Sequence, residues 1–282
     1  MKVSIVIPYY NDREFLPQAI ESVLNQSFED FELILVNHAT TDDCREIAHS
    51  YKDSRIVHFD MEKNYLAGTG LMMIRALKIA KGKYIKPFCA DDIMYSNCLK
   101  DFVDYMEAHP EKDFAFGNIE YVDENGNSKN TTYYEDSPAF KITNDEAECI
   151  KLYLKPYSVF PYIGSFVKTD ALKSIEISKS FIYRFNMAIW LCLLIKGYKV
   201  GYMNNIVAGH RFHSKQVTSF KRKVVQSSAY EQIKYAEIFY DLVKSELFNE
   251  VFKDNYYFKM AKELNELDKN FIISYEFLMS AS

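Results

Sequence analysis

The chain has 282 residues, enough for one large domain or one domain with an appendage. With 48% hydrophobic and 26% charged residues it can bury a core, and wholesale disorder is excluded. Nine glycines and seven prolines exclude collagen-like and low-complexity classes, and a formal charge of −5 argues against a nucleic-acid binder.

The longest uninterrupted apolar run, Met187–Ile195, is nine residues, and a membrane span needs roughly 20. The N-terminal run Val3–Ile7 ends at Pro8 without a small-residue cleavage site, unlike a signal peptide. Cytoplasmic localisation is expected. The five cysteines, Cys44, Cys89, Cys98, Cys149 and Cys192, are scattered without C-x-x-C spacing. They read as free thiols rather than a disulfide framework or zinc site.

The first hundred residues alternate strand-like and helix-like patterns. Lys2–Ile7 predicts a first strand ending at Pro8. Arg13–Gln26 carries Leu16, Ile20, Val23 and Leu24 at helical spacing, and Pro17 delays the start of that helix. Glu32–Val36 predicts a second strand, Thr41–Tyr51 a helix and Arg55–Phe59 a third strand. Leu71–Ala80 predicts a helix stopped by Gly82, Lys83–Phe88 a fourth strand, and Ser96–Ala108 a helix closed by Pro110. Further on, Phe114–Gly117, Ile119–Val122, Ile163–Val167, Lys199–Met203 and Ile206–Ala208 have strand character. Asn125-Gly126, flanked by Ile119–Val122 and the stretch near Thr131–Tyr134, marks a hairpin or lobe, and Tyr183–Lys196 reads as a buried helix ending at Gly197. From about Val224 the apolar spacing is helical again. The expected class is α/β, with a mostly parallel central sheet flanked by helices and a helical C-terminal extension.

Right-handed crossovers bring the C-terminal ends of the parallel strands to one edge, where ligands bind in open α/β sheets. Pro8–Asp12, Asn37–Asp42, Asp60–Asn64 and Cys89–Asp92 are the segments placed there. The first lacks the glycines of a dinucleotide or P-loop turn. Its aromatic residues suit a base better than a phosphate, with a packed tyrosine as the plain alternative. Asp91 and Asp92 can hold a hard divalent cation or cap the next helix. His210-Arg211-Phe212-His213 supplies a further metal ligand and a phosphate-binding cation, or is a polar surface loop.

Together these segments resemble family 2 glycosyltransferases of the GT-A fold. The likeness runs through Val3–Asn11, Leu16, Ala19-Ile20, Ser22–Ser27 and Phe31–Val36, then Thr41-Asp42, Ala80–Ile85 and Ala90-Asp91-Asp92. Trp190-Leu191, Gly197–Val200 and His210–His213 continue it, so that it covers residues 2–218. The resemblance implies an inverting transfer from a nucleotide sugar, usually uridine-linked, assisted by a divalent cation, Mn or Mg. By position it places Pro8, Tyr10, Asn11, His38, Asp91 and Arg211 on the donor, and Asp91, Asp92 and His213 on the metal. Four positions depart from the pattern. Asn37-His38 replaces the usual acidic pair, Cys89 the first carboxylate of D-x-D, Asn186 the usual catalytic base, and Met73 falls near a usual arginine.

The reading is a GT-A domain over residues 1–220 and a helical extension over 221–282, acting in surface-polysaccharide biosynthesis. The acceptor is a glycan or a lipid-linked one, and no nucleic acid is expected. Homodimerisation through the C-terminal helices and peripheral contact with the inner membrane face are the other expected associations. The alternative is a catalytically silent module that binds nucleotide or a partner protein.

Overall fold

The computed structural model describes residues 1–63, 68–136, 161–175, 189–190, 192–194, 196–214 and 216. The chain divides into two compact units, Met1–His213 and Ser214–Ser282. The second lies almost wholly outside the described residues, and with it the expected helical extension.

The strands are β1 (Val3–Tyr9), β2 (Phe31–Asn37), β3 (Ile56–Asp60), β4 (Tyr84–Pro87), β5 (Ile93–Met94), β6 (Phe114–Val122), β7 (Ser128–Thr132), β8 (Ser165–Lys168) and β9 (Val200–Arg211). Among the described residues the helices with both ends in view are α1 (Leu16–Leu24), α2 (Cys44–Ser50), α3 (Gly68–Ile79), α4 (Cys98–Ala108), α5 (Tyr133–Asp136) and α6 (Thr169–Lys173). A single sheet has the order β3-β2-β1-β4-β8-β6-β9-β5, with β7 on β6. β1 runs parallel to β2 and β4, β2 to β3, and β6 to β9. β8 runs antiparallel to both β4 and β6, so it restores their common direction. β1, β2, β3, β4, β6 and β9 therefore end at one edge, as the mostly parallel reading requires.

α1 forms as the spacing predicts. Leu16, Ala19, Ile20 and Val23 are buried, and Pro17 sits in the first turn, where its missing N–H costs nothing. Each large apolar side chain buried this way contributes roughly 1.5–3 kcal/mol. The first strand does not stop at Pro8 but continues to Tyr9, with Pro8 paired to Val36. Of the helix expected over Tyr183–Lys196, residues 189–190 and 192–194 are described and helical, the rest of its start lies outside the described residues, and its end is at Gly197 as expected. Gly197 has φ +81°, and the amides of Gly197 and Tyr198 donate to the carbonyls of Leu194 and Leu193, which is a Schellman cap.

Gly82 has a different reason from the one expected. Its φ is not positive; a Cβ there would come within 2.4 Å of the Ser4 amide nitrogen. The loop before β4 lies against β1, held by a buried network. Ser4 Oγ donates to Glu32 Oε1 (2.5 Å), which also accepts from the Lys81 amide (2.7 Å), while the Gly82 amide donates to Ser4 Oγ (2.8 Å).

The later strands are longer than their apolar runs. Phe114–Gly117 and Ile119–Val122 join in β6, and the two runs after Lys199 join in β9. The breaks are register irregularities: Phe116 pairs with Tyr202 but Asn118 with Ile206, so β9 carries extra residues. The Asn125-Gly126 hairpin forms, with Gly126 at φ +88°.

Candidate functional site

The edge where the six strands end gathers the segments singled out above. Tyr10 and Asn11 follow β1, His38 ends up beyond β2, Cys89–Asp92 follow β4, and His210–His213 close β9. The turn after β1 and the turn after β2 lock together. Asn11, at φ +56°, accepts at Oδ1 from Thr40 Oγ1 (2.8 Å) and the Thr41 amide (2.9 Å). Its own amide donates to Thr40 Oγ1 (2.9 Å). Asn37 donates to Asp60 Oδ1 (3.0 Å) and accepts from the Thr40 amide (2.9 Å). Both ends of this amide therefore shape the turn. Burial works against the Asp60 charge, but hydrogen bonds from Asn37, Arg45 and His49 outweigh it and hold the carboxyl below its usual value. His38 is buried and meets the exposed ring of Tyr10 edge-on, 6.0 Å between centroids. Pro8 is buried within β1, two residues before Tyr10.

The carboxylates form the centre. His213 Nε2 lies 3.1 Å from Asp91 Oδ2. Asp92 is buried, and its Oδ1 meets His210 Nδ1 at 3.0 Å and accepts from the Arg211 amide at 2.8 Å. Burial raises the Asp92 pKa; burial would lower that of His210, but the Asp92 charge overrides it and raises it. Burial also pushes the Cys89 thiol up, reinforced by Asp92 and Asp91.

Arg211, expected on the donor, is a buried pin in this structure. Its Nε donates to the Asp91 carbonyl (2.8 Å), one terminal nitrogen to the Glu124 carbonyl (2.5 Å) and the other to Gln18. The guanidinium lies 4.9 Å from the Phe15 ring centre, and the same ring packs on His213 at 4.4 Å. Arg211 thus fixes the backbone at Asp91 and ties α1 to the hairpin.

Asp12 escaped the reading of the sequence, although the turn containing it was singled out. Burial raises its pKa to about 6, opposed by the Tyr10 amide and supported by the charges of Asp91 and Asp42. Its sequence signal was its position three residues past the end of β1, in a turn already singled out; only the fold brings it under the charge of Asp91. Asn186, the residue at the usual base position, lies outside the described residues.

Cys89, Asp91 and Asp92 each offer a ligand atom, all within 4.8 Å of one another. Asp92 Oδ2 and His213 Nδ1 are buried with no hydrogen-bond partner among the described residues. Such orphaned atoms are costly. Acidic groups pushed toward their protonated forms beside them are what a divalent cation relieves. The donor set therefore fits a cation.

The sequence model described as "Glycosyl transferase family 2" matches residues 4–184. The chain belongs to this family. It is accordingly a nucleotide-sugar-dependent glycosyltransferase. An uncharacterised glycosyltransferase of Methanocaldococcus jannaschii is 30% identical over 213 residues, 74% of this chain and 70% of that protein. The Escherichia coli UDP-Glc:alpha-D-GlcNAc-diphosphoundecaprenol beta-1,3-glucosyltransferase WfaP is 29% identical over 234 residues, 82% of this chain and 86% of that one. Among solved structures, S. aureus TarS in complex with UDP-GlcNAc superposes with a TM-score of 0.64 at 19% identity, covering 87% of this chain and 68% of that one. The mannosyltransferase of Pyrobaculum calidifontis in complex with GDP-Man and Mn2+ gives 0.60 at 13%, covering 93% and 73%. These structural likenesses establish the family 2 fold, GT-A. No helix among the described residues is long and apolar enough to cross a membrane.

Proposed function

We propose that this chain transfers a sugar from a UDP-linked donor to a glycan or lipid-linked acceptor in surface-polysaccharide assembly, with inversion. The observation that carries this reading is the convergence of Tyr10, His38, Asp91, Asp92 and His213 on one sheet edge. The Tyr10 ring and His38 offer stacking and hydrogen bonding to a nucleobase. Asp91 and Asp92, with Cys89 and His213 beside them, are the residues to hold Mn or Mg. Bound there, that cation neutralises the diphosphate. Asn11 positions the turn beneath Tyr10, and Arg211 positions Asp91. The WfaP name supports a uridine donor and a diphosphate-lipid-linked acceptor. That acceptor class also supports peripheral contact with the inner membrane face. Residues 221–282 are the segment proposed for that contact or for pairing of two copies.

Cys89 and Asn186 stand where the resemblance places a carboxylate and the catalytic base. A thermal-shift screen of nucleotides and nucleotide sugars, with and without Mn2+ or Mg2+, tests the site. A ligand at a hundred times its dissociation constant stabilises by about 2.7 kcal/mol. UDP with cation is expected to shift the midpoint; no shift with any nucleotide overturns the proposal. Slow hydrolysis of the sugar nucleotide then measures turnover.

A further inference from the structure

Two large aromatic side chains among the described residues are exposed, Tyr10 at 40% and Phe212 at 42%. Both stand at the same sheet edge. Tyr10 follows β1 and Phe212 follows β9, and the carboxylates that follow β4 come between them in the strand order. The Phe212 ring does not stand alone. Tyr121 meets it at 75° with centroids 5.1 Å apart, and His210 at 66° and 5.4 Å. Lys129 Nζ lies 4.5 Å from its centre. His210 in turn touches Asp92 at 3.0 Å, so the aromatic group is continuous with the carboxylate site.

We propose that Phe212, framed by Tyr121 and His210 with the Lys129 ammonium over one ring face, is the platform on which a pyranose ring of the acceptor glycan is seated. This rests on the nucleotide-sugar reading of the carboxylate site. A donor with its base at Tyr10 and its diphosphate at Asp91 extends its sugar onward along the edge, toward the ends of β6 and β9. The acceptor hydroxyl must reach that sugar from the same direction. A pyranose presents a face of weakly positive C–H bonds, which the negative face of an aromatic ring attracts. Its hydroxyls need donors close by, and the Lys129 ammonium supplies them. Tyr121 and His210 fix the ring edge-on, so little side-chain freedom is lost on binding. An acyl chain would need a longer apolar strip than this single exposed ring flanked by charge.

Saturation-transfer NMR tests the platform, with methyl pyranosides of glucose, galactose and N-acetylglucosamine and their β-linked disaccharides as probes. Wild type, Phe212→Ala and Phe212→Tyr are compared in the presence of UDP or GDP with Mn2+. Nucleotide binding is followed separately by thermal shift. We expect saturation of pyranoside C–H protons by wild type, retained in Phe212→Tyr and reduced about fivefold or more in Phe212→Ala. Nucleotide-induced shifts stay equal in all three proteins. An undiminished signal in Phe212→Ala overturns the platform, as does the absence of any signal from wild type. A Phe212-dependent signal without any nucleotide binding leaves the platform standing and removes the nucleotide-sugar reading instead.

Discussion

His213 Nε2 and Asp91 Oδ2 lie 3.1 Å apart although 122 positions separate the two residues. Each was singled out from a different segment, and the fold makes them one unit. A cation arriving here meets a carboxylate already positioned by a buried imidazole, which spares the cost of ordering it.

Removing that carboxylate charge leaves the fold and takes away the ligand. Asp91→Asn is expected to melt within about 1 kcal/mol of wild type, because Asp91 is only part-buried. UDP with Mn2+ should no longer raise its midpoint. Thermal shift with and without ligand reads both quantities; a full ligand-induced shift in Asp91→Asn contradicts the assignment.

Asp12 sets a pH dependence of stability. Its folded pKa of about 6 lies above the ordinary carboxylate value because of burial first and then Asp91 and Asp42. The folded state therefore holds more protons than the unfolded one between the ordinary value and about 6. Stability is lost as pH rises through that window. Asp12→Asn keeps an acceptor for the Tyr10 amide and removes the charge. In chelator it should melt higher than wild type at pH 7.5, by on the order of 1–3 kcal/mol, and show no gain at pH 4. Melting curves at both pH values decide, and equal gains at both would show the cause to lie elsewhere.

Gly82→Ala tests the contact with β1. The new methyl group would meet backbone atoms of Val3 and Ser4 at 2.6 and 2.4 Å. Backbone cannot swing aside as a flexible side chain can, so a loss of about 1–3 kcal/mol or more is expected. Denaturant unfolding measures it. Were Gly82 needed only to end α3, a small cost near that of an ordinary cap change would be seen instead.

Arg211→Lys is not conservative here. One ammonium cannot serve the Asp91 and Glu124 carbonyls and Gln18 together. Leaving buried acceptors unpaired costs about 1–3 kcal/mol each. The expected result is a lower melting midpoint together with weaker cation and nucleotide binding, since Asp91 loses its anchor. Calorimetry at a temperature where the variant is folded separates the two effects; unchanged binding would confine Arg211 to stability.

The first 110 residues were legible because each strand and helix there is a local pattern bounded by Pro, Gly or a polar turn. The parallel register of β1, β2 and β4 follows from crossovers that the chain makes in sequence order. Beyond that point pairing is non-local. Nothing in Ser165–Lys168 reveals that it enters between β4 and β6 in the opposite direction. The two-residue β5 is too short to leave a period, and irregular registers divided β6 and β9 into fragments. At the site, residue types exposed Asp91, Asp92 and His213, because carboxylates and imidazoles at strand ends are chemical signals. Asp12 carries the same chemistry but acquires its meaning only from burial beside Asp91. Arg211 advertised phosphate binding by type, whereas its surroundings make it a pin. Asn186 rests on spacing alone.

That pin also sets an order of events in the cell. Arg211 joins positions 87, 120 and 193 residues away from it in the chain. Closing such loops costs chain entropy before any bond is returned. A ribosome delivering the chain from its N-terminus releases β1, β2, β3 and β4 long before residue 211. Those strands can pair with one another as they emerge. Asp91 and Asp92, by contrast, lack their His213, His210 and Arg211 partners until the end of β9 arrives. A chain cut short before Arg211 would thus carry a paired half-sheet without a competent site, and a pulse of limited proteolysis during synthesis would find the β4–β5 loop the last part of that sheet to become protected.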